Sequence, residues 1–288
     1  MKKVILNADD FGLTSGVNEG IIRAHRNGIL TSTTVMANGE AFAGAAEQAR
    51  LNASLGVGVH LVLIGGHAVA RREEIASLVD QNGELPRSLG VFVARVTAGL
   101  IHPEHIEREL RAQIEKVRAA GIEPTHVDSH KHTHAHPRVM ESVARVASEC
   151  RIKRIRKPFE ALRDSWSLSQ IGGVGAVTQL AGALAAQISV SSFESISRKY
   201  GLRSPDRFLG LAVTGQINRT RLHRMIETLS EGFTEIMLHP GICDDELRRT
   251  GSRLQMHRQT EMEALLDPSI KGMLVEQGVQ LATYGELD

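Results

Sequence analysis

Lys3-Val4-Ile5-Leu6-Asn7-Ala8-Asp9-Asp10 opens the chain with a short apolar run that stops at two carboxylates. Lys3 to Ala8 reads as a buried strand. Ser15 to Asn27 follows as a helix, with Val17, Ile21, Ile22 and Ala24 on one face and Gly28 as its stop. The alternation continues outward from there. Ser32 to Ala37 is a β-branched run and reads as a strand, Ala41 to Leu51 as an alanine-rich helix, and Leu55 to Leu63 as a third strand. Pro103 to Ala120 is a charged amphipathic helix opened by proline and followed by Gly121. Thr125 to Ser129 is a short strand, Pro137 to Cys150 another proline-opened helix, and Arg154 to Arg156 a candidate strand. Arg219 to Leu229 and Arg253 to Leu266 read as helices, Thr234 to Leu238 and Val279 to Thr283 as strands. Ile64 to Leu100 is less regular, with a turn at Asn82-Gly83, and Phe159 to Ser204 is too weakly patterned to divide into elements.

Strands alternating with helices imply a mostly parallel sheet joined by right-handed crossovers. Roughly seven strands over this length suit one α/β domain spanning 1–288, a distorted (β/α) barrel of TIM-barrel type, closed or incomplete. A flat dinucleotide-binding sheet is disfavoured, because no glycine-rich fingerprint follows the first strand.

The bulk composition excludes several functions. Aromatics are 3% of 288 residues and the formal net charge is +1, which argues against nucleic acid as a partner. The longest apolar runs fall short of the ~18 residues of a membrane span. The first apolar run ends at Asn7, too short for a secretory leader, and two separated cysteines make no disulfide framework. A cytoplasmic protein with reduced thiols is expected.

The residues able to do chemistry share one position. Asp9 and Asp10 follow the first strand, His60 lies near the end of the third, Asp128 and His130 follow the fourth, and His239 follows Thr234 to Leu238. In a parallel barrel the C-terminal strand ends form one rim, where active sites are built. Two imidazoles and one carboxylate leave room for water on a divalent metal, and a second carboxylate beside them can take a proton. Each piece also has a plainer reading: a polar loop for Asp9-Asp10, a core histidine for His60, a turn for His239-Pro240-Gly241. Four of the thirteen histidines fall in His130 to His136. Alternation in an extended segment would put His130, His132, His134 and His136 on one side, which favours metal binding. The basic run Arg151 to Lys157 reads as a solvated face.

Several of these motifs together resemble the YdjC-like carbohydrate deacetylases, a family that includes chitooligosaccharide deacetylases and a hopanoid-associated protein. The resemblance rests on Asn7-Ala8-Asp9-Asp10-Phe11-Gly12, Ile29 to Thr34, Gly58-Val59-His60-Leu61, Thr125 to His132, Glu235 to Gly241 and Thr283-Tyr284-Gly285, in that order along nearly the whole chain. It implies a barrel related to NodB-type polysaccharide deacetylases and one divalent metal ion, magnesium or zinc foremost, held by Asp10, His60 and His130. It further implies Asp9 as general base and His239 as general acid or oxyanion support. Asp128 would orient a histidine ligand, His132 and His134 remain as alternative ligands or pocket walls, and Asn7 would stand behind the ligands or line the substrate pocket. Lys131 departs from the family pattern, which commonly has histidine there.

The expected reaction is removal of the N-acetyl group from an N-acetylglucosamine-containing sugar, with release of acetate. The rivals are another metal-dependent hydrolase on the same rim, a phosphoesterase or amidohydrolase, and a metal- or sugar-binding protein without turnover. The sugar itself is not legible, and a self-paired homodimer is only the default expectation.

Overall fold

Period two along the strands divides the barrel into an outer, apolar face and an inner, polar one. In the computed structural model, which describes residues 1–169 and 189–287, β1 runs Lys2–Phe11, β2 Ser32–Val35, β3 Gly56–Leu61, β4 Val127–Ser129, β5 Arg207–Leu209, β6 Gly232–Leu238 and β7 Val279–Leu281. Val4, Leu6 and Ala8 of β1, Val57, Val59 and Leu61 of β3, Val127 of β4, and Ile236 and Leu238 of β6 join one large apolar cluster beneath the helices. The residues between them face inward. Ile5 packs with Ala282, Tyr284 and Leu287 in a separate small cluster. Glu235 lies level with Ile5, and higher up the inner face come Asp9, His60 and Asp128, all buried.

All the strand pairings are parallel, in the order β4-β3-β2-β1-β6-β5. β7 lies beside Lys2–Val4 of β1, below the stretch that pairs with β2. Parallel bridges Val127↔Ile155 and Arg154↔Arg203 carry the curl past β4, so Arg154 to Arg156 does extend along the sheet. Among the described residues no ladder joins Arg203 to β5. The result is the incomplete form of the expected barrel, a curled parallel half-barrel clothed in helices.

Helices α1 (Ser15–Asn27), α2 (Phe42–Leu51), α4 (Pro103–Ala119), α5 (Pro137–Glu149), α8 (Arg219–Glu227) and α10 (Met256–Leu266) fall where the apolar periodicity puts them. Among the described residues outside 159–204, four α-helices and strands were not expected: α3 (Leu89–Thr97) in the irregular stretch after β3, the strand β5, and the helices α9 (Asp245–Arg249) and α11 (Pro268–Glu276). Within 159–204, α6 covers Leu162–Ser169 and α7 covers 189–199; the alanine-rich part of that stretch lies outside the described residues. Two buried polar residues of α4 hold the segment that follows β3. Gln113 bonds both the N–H and the C=O of Val62, and Glu109 accepts from the N–H groups of Val69 and Ala70. No helix among the described residues is long and apolar enough to cross a membrane.

Two local features shape the inside. The β1–β2 register shifts between Ala8 and Phe11, and Asp10 takes a left-handed φ of 69° there. Asp9 and Asp10 therefore lie within the strand rather than after it, and the bulge turns adjacent side chains toward different partners. At Gly58 an added Cβ would lie 2.5 Å from Cε1 of His126, whose buried ring is stacked on Tyr284. Gly58→Ala should cost about 1–3 kcal/mol of stability through overpacking. Denaturant unfolding checks this; a variant as stable as the parent would mean that the His126 ring moves aside freely.

Candidate functional site

Asp10, His60 and His130 converge at the C-terminal rim although β1, β3 and the turn after β4 bring them from distant parts of the chain. Asp10 Oδ1 is 3.4 Å from His60 Nε2 and 3.3 Å from His130 Nδ1. Asp10 is 3% exposed, and this oxygen has no hydrogen-bond partner. Its other oxygen accepts from Arg258 Nη2 at 2.5 Å. His60 Nδ1 lies 2.7 Å from Asp128 Oδ1, which fixes the ring and leaves Nε2 facing Asp10. Thr34 Oγ1, which donates to Asp128 Oδ2 at 3.1 Å, braces the same pair. One orphaned carboxylate oxygen and two imidazole nitrogens around a common point form a donor set that fits a divalent cation. Asp9, His60 and Asp128 also lie close together. That grouping already holds a cation, the guanidinium of Arg156.

Arg156 is fully buried, and every one of its N–H groups finds an acceptor. Nη1 and Nη2 reach the two oxygens of Asp9 at 2.8 and 2.6 Å. Nη1 also meets Asp128 Oδ2 at 2.7 Å, while Nε and Nη2 both meet Glu235 Oε1 at 2.8 Å. The reading of Arg151 to Lys157 as a solvated face fails here. The run divides: Ile152 and Ile155 enter the apolar core, Arg154 bonds the carbonyls of Gly285 and Leu287, and Arg156 crosses the barrel to Asp9. A strand ending in a cation at the height of Asp9 and Asp128 was the available signal.

His239 follows β6, with Nε2 3.9 Å from Asp9 Oδ2. Its backbone N–H donates to Glu261 Oε2 at 2.6 Å. Burial, only partly opposed by Asp9 and Asp10, pushes the His239 imidazole down to about 4, so it is neutral at rest. Burial likewise raises Glu261 to about 7, against the bond from His239 N–H and the charge of Arg258. Arg258 and Glu261 sit one turn apart on the buried face of α10, a charged pair on a helix face that also carries Met262 and Leu265. That pairing could have marked α10 as part of the site.

The histidine cluster does not form one extended row. His130–Ala135 is a 3₁₀ segment kinked by left-handed Lys131 and His132. His134 turns inward and uses both ring nitrogens, on Ser129 Oγ at 2.5 Å and the Arg156 carbonyl at 3.1 Å. It braces Arg156 and has no lone pair left for a metal. His132 lies edge-on to Phe208, with a buried Nδ1 that has no partner. His136 bonds Thr97, away from the site. Asn7 donates to Asp9 Oδ1 at 3.3 Å, and its own Oδ1 is unpartnered.

The acidity of His60 sets a pH dependence. Burial alone would lower it, but Asp128, then Asp9 and Asp10, outweigh burial and raise it to about 9. The stabilisation that protonated His60 gives the metal-free protein is complete below its ordinary value of 6.5 and is lost as pH rises through about 9. A cation at Nε2 must displace that proton. Affinity for zinc should therefore climb from neutral pH toward about 9, with about one proton released from this group per ion. Calorimetric titrations in buffers of different ionisation enthalpy measure the release; binding without it would contradict the arrangement.

Comparison with known proteins places this geometry among others. The model of the YdjC-like protein family matches residues 3–276. A carbohydrate deacetylase of Brevibacillus brevis is 36% identical over 290 residues, covering 99% of each chain. A chitooligosaccharide deacetylase of Yersinia enterocolitica is 34% identical, again over 99% of each. Among solved structures, a putative cellobiose-phosphate cleavage protein of Enterococcus faecalis superimposes with a TM-score of 0.79 at 28% identity, covering 98% of this chain and 97% of that one.

Proposed function

The chain belongs to the YdjC-like protein family, and from that premise we propose that it hydrolyses the N-acetyl group of an N-acetylglucosamine-containing sugar, a chitooligosaccharide or a glycolipid. Acetate and a free amine are the products. The observation that carries the reading is the orphaned Asp10 Oδ1 between His60 Nε2 and His130 Nδ1, with a second carboxylate, Asp9, beside it. Asp10, His60 and His130 would hold one divalent ion, magnesium or zinc. Such an ion supplies Lewis acidity, polarising an amide carbonyl and making water more acidic at neutral pH.

The chain's own groups do the proton work. Asp9 is fixed by the two-point pair with Arg156, yet each of its oxygens keeps lone-pair capacity. It accepts the proton of the attacking water. His239 is neutral at rest and lies 3.9 Å from Asp9 Oδ2. It takes from Asp9 the proton that Asp9 drew from the water and delivers it to the nitrogen as the C–N bond breaks. Asp128 keeps His60 Nδ1 protonated and the ring aligned. Asn7 steadies Asp9 from the side opposite His239.

A two-metal phosphoesterase is disfavoured, because the second acidic grouping encloses Arg156. The deciding experiment is acetate release from N-acetylglucosamine, its β-1,4 oligomers and a lipid-linked N-acetylglucosaminyl compound, each with and without chelator. Chelator-sensitive release from at least one of them is expected. No release from any, with phosphate esters cleaved instead, would overturn the reading.

A further inference from the structure

Glu235 and Tyr284 lie inside the barrel below the reacting groups, and the chemistry above uses neither. Glu235 pairs in register with Ile5, on the inner face two inward positions beneath His239. Tyr284 arrives from the other end of the chain. β7 lies along Lys2–Val4, Ala282 N–H donates to the Val4 carbonyl, and a capping box between Thr283 and Glu286 turns the backbone so that Tyr284 enters the barrel floor. Its ring is fully buried and stacked on His126 at 3.6 Å and 5°, and His126 in turn lies against Gly58. Its hydroxyl donates to Glu235 Oε2 at 2.5 Å, and Glu235 Oε1 accepts from Arg156 Nε and Nη2 at 2.8 Å.

A buried carboxylate is expensive, and burial raises its pKa despite Arg156. Its cost points to a task. A guanidinium is a rigid planar fork, so pinning its Nε–H edge fixes which edge faces elsewhere. With Nε and Nη2 on Glu235, the Nη1/Nη2 edge is the one left for Asp9. Without that pin Arg156 is free to roll toward Asp128, its other partner.

We propose that Glu235, held from below by Tyr284, is a positioning residue that orients Arg156 and through it the base Asp9. The inference rests on the proposed role of Asp9. Glu235 touches neither the metal-binding set nor the rim, so its loss should act on turnover and not on binding.

The test compares Glu235→Met, which removes the acceptor at similar size, with Glu235→Gln, whose amide oxygen still accepts from Arg156. Glu235→Met should lower kcat by about 10²-fold, the typical loss when a reacting group is misplaced by about 1 Å. KM and zinc affinity, measured by chelator competition, should stay within about twofold. Glu235→Gln should recover most of the lost turnover. Tyr284→Phe should lower kcat in the same way by a smaller factor, and adding it to Glu235→Met should bring no further loss, because it acts through Glu235. If Glu235→Met fails to fold, the kcat of Tyr284→Phe decides alone. An unchanged kcat in the folded variants, a Gln variant as impaired as the Met variant, or a fall in zinc affinity matching the fall in kcat would each overturn the proposal. A parent protein that releases no acetate from any N-acetyl sugar would instead overturn the underlying function, which separates the two failures.

Discussion

Asp10→Asn should abolish metal binding and lower acetate release by at least about 10³-fold, a loss equivalent to the several kcal/mol a catalytic metal contributes to the transition state. The reason lies in how the two carboxylate oxygens are used. Oδ2 is committed to Arg258 and Oδ1 is the free acceptor facing His60 and His130. Arg258, with Coulomb help from His130 and His60, outweighs burial and holds the Asp10 carboxyl well below its ordinary range, so a lone pair is always presented. In the asparagine variant the amide oxygen is drawn to Arg258 and the NH₂ group turns toward the imidazoles, a donor where a cation needs a lone pair. His130→Ala should lose metal in the same way with little cost to folding, since His130 is only partly buried. Metal content by plasma spectrometry, read beside the rate of acetate release, checks both variants. Parent-like activity in metal-free His130→Ala would refute the ligand assignment.

The second large effect is expected at the neighbouring position and has a different signature. Asp9→Asn should keep its metal and lower kcat by about 10²–10⁴-fold, the range lost with a general base. Asp9 Oδ1 and Oδ2 both accept from Arg156, and Oδ2 also faces His239. An amide satisfies only one arm of the guanidinium and sets an NH₂ against the other, so some stability is lost as well. The metal count separates the two aspartates. A parallel loss of metal in Asp9→Asn would make Asp9 a ligand and leave the proposed mechanism without its base.

The parallel sheet and the convergence of distant residues at one rim were legible because both follow from periodicity and strand direction. Asp10, His60 and His130 meet as strand ends in a barrel must, and Asp128 stands behind His60 because His60 and Asp128 are register partners on adjacent strands. Less legible was everything set by three-dimensional alternation inside the barrel. A stretch with five basic residues among seven looks solvated as text, yet a curled sheet puts alternate residues into a closed interior, and Arg156 becomes the centre of three carboxylates. The histidine run misled for the opposite reason. Two left-handed residues, Lys131 and His132, break the extended path, so His134 bonds the Arg156 carbonyl while His130, alone of the four in that run, reaches Asp10. Backbone sign at non-glycine residues leaves almost no trace in sequence. α3, α9 and α11 went unseen because they are short, at five to nine residues, and lie outside the regular strand-helix rhythm.

The central claim concerns one point in space, and anomalous diffraction locates it directly. Crystals grown with zinc and measured on both sides of its absorption edge should show a single strong peak within coordination distance of Asp10 Oδ1, His60 Nε2 and His130 Nδ1, with Asp9 still paired to Arg156. A peak bound instead by Asp9 or His134, or crystals saturated with zinc that show none among these three side chains, would contradict the account.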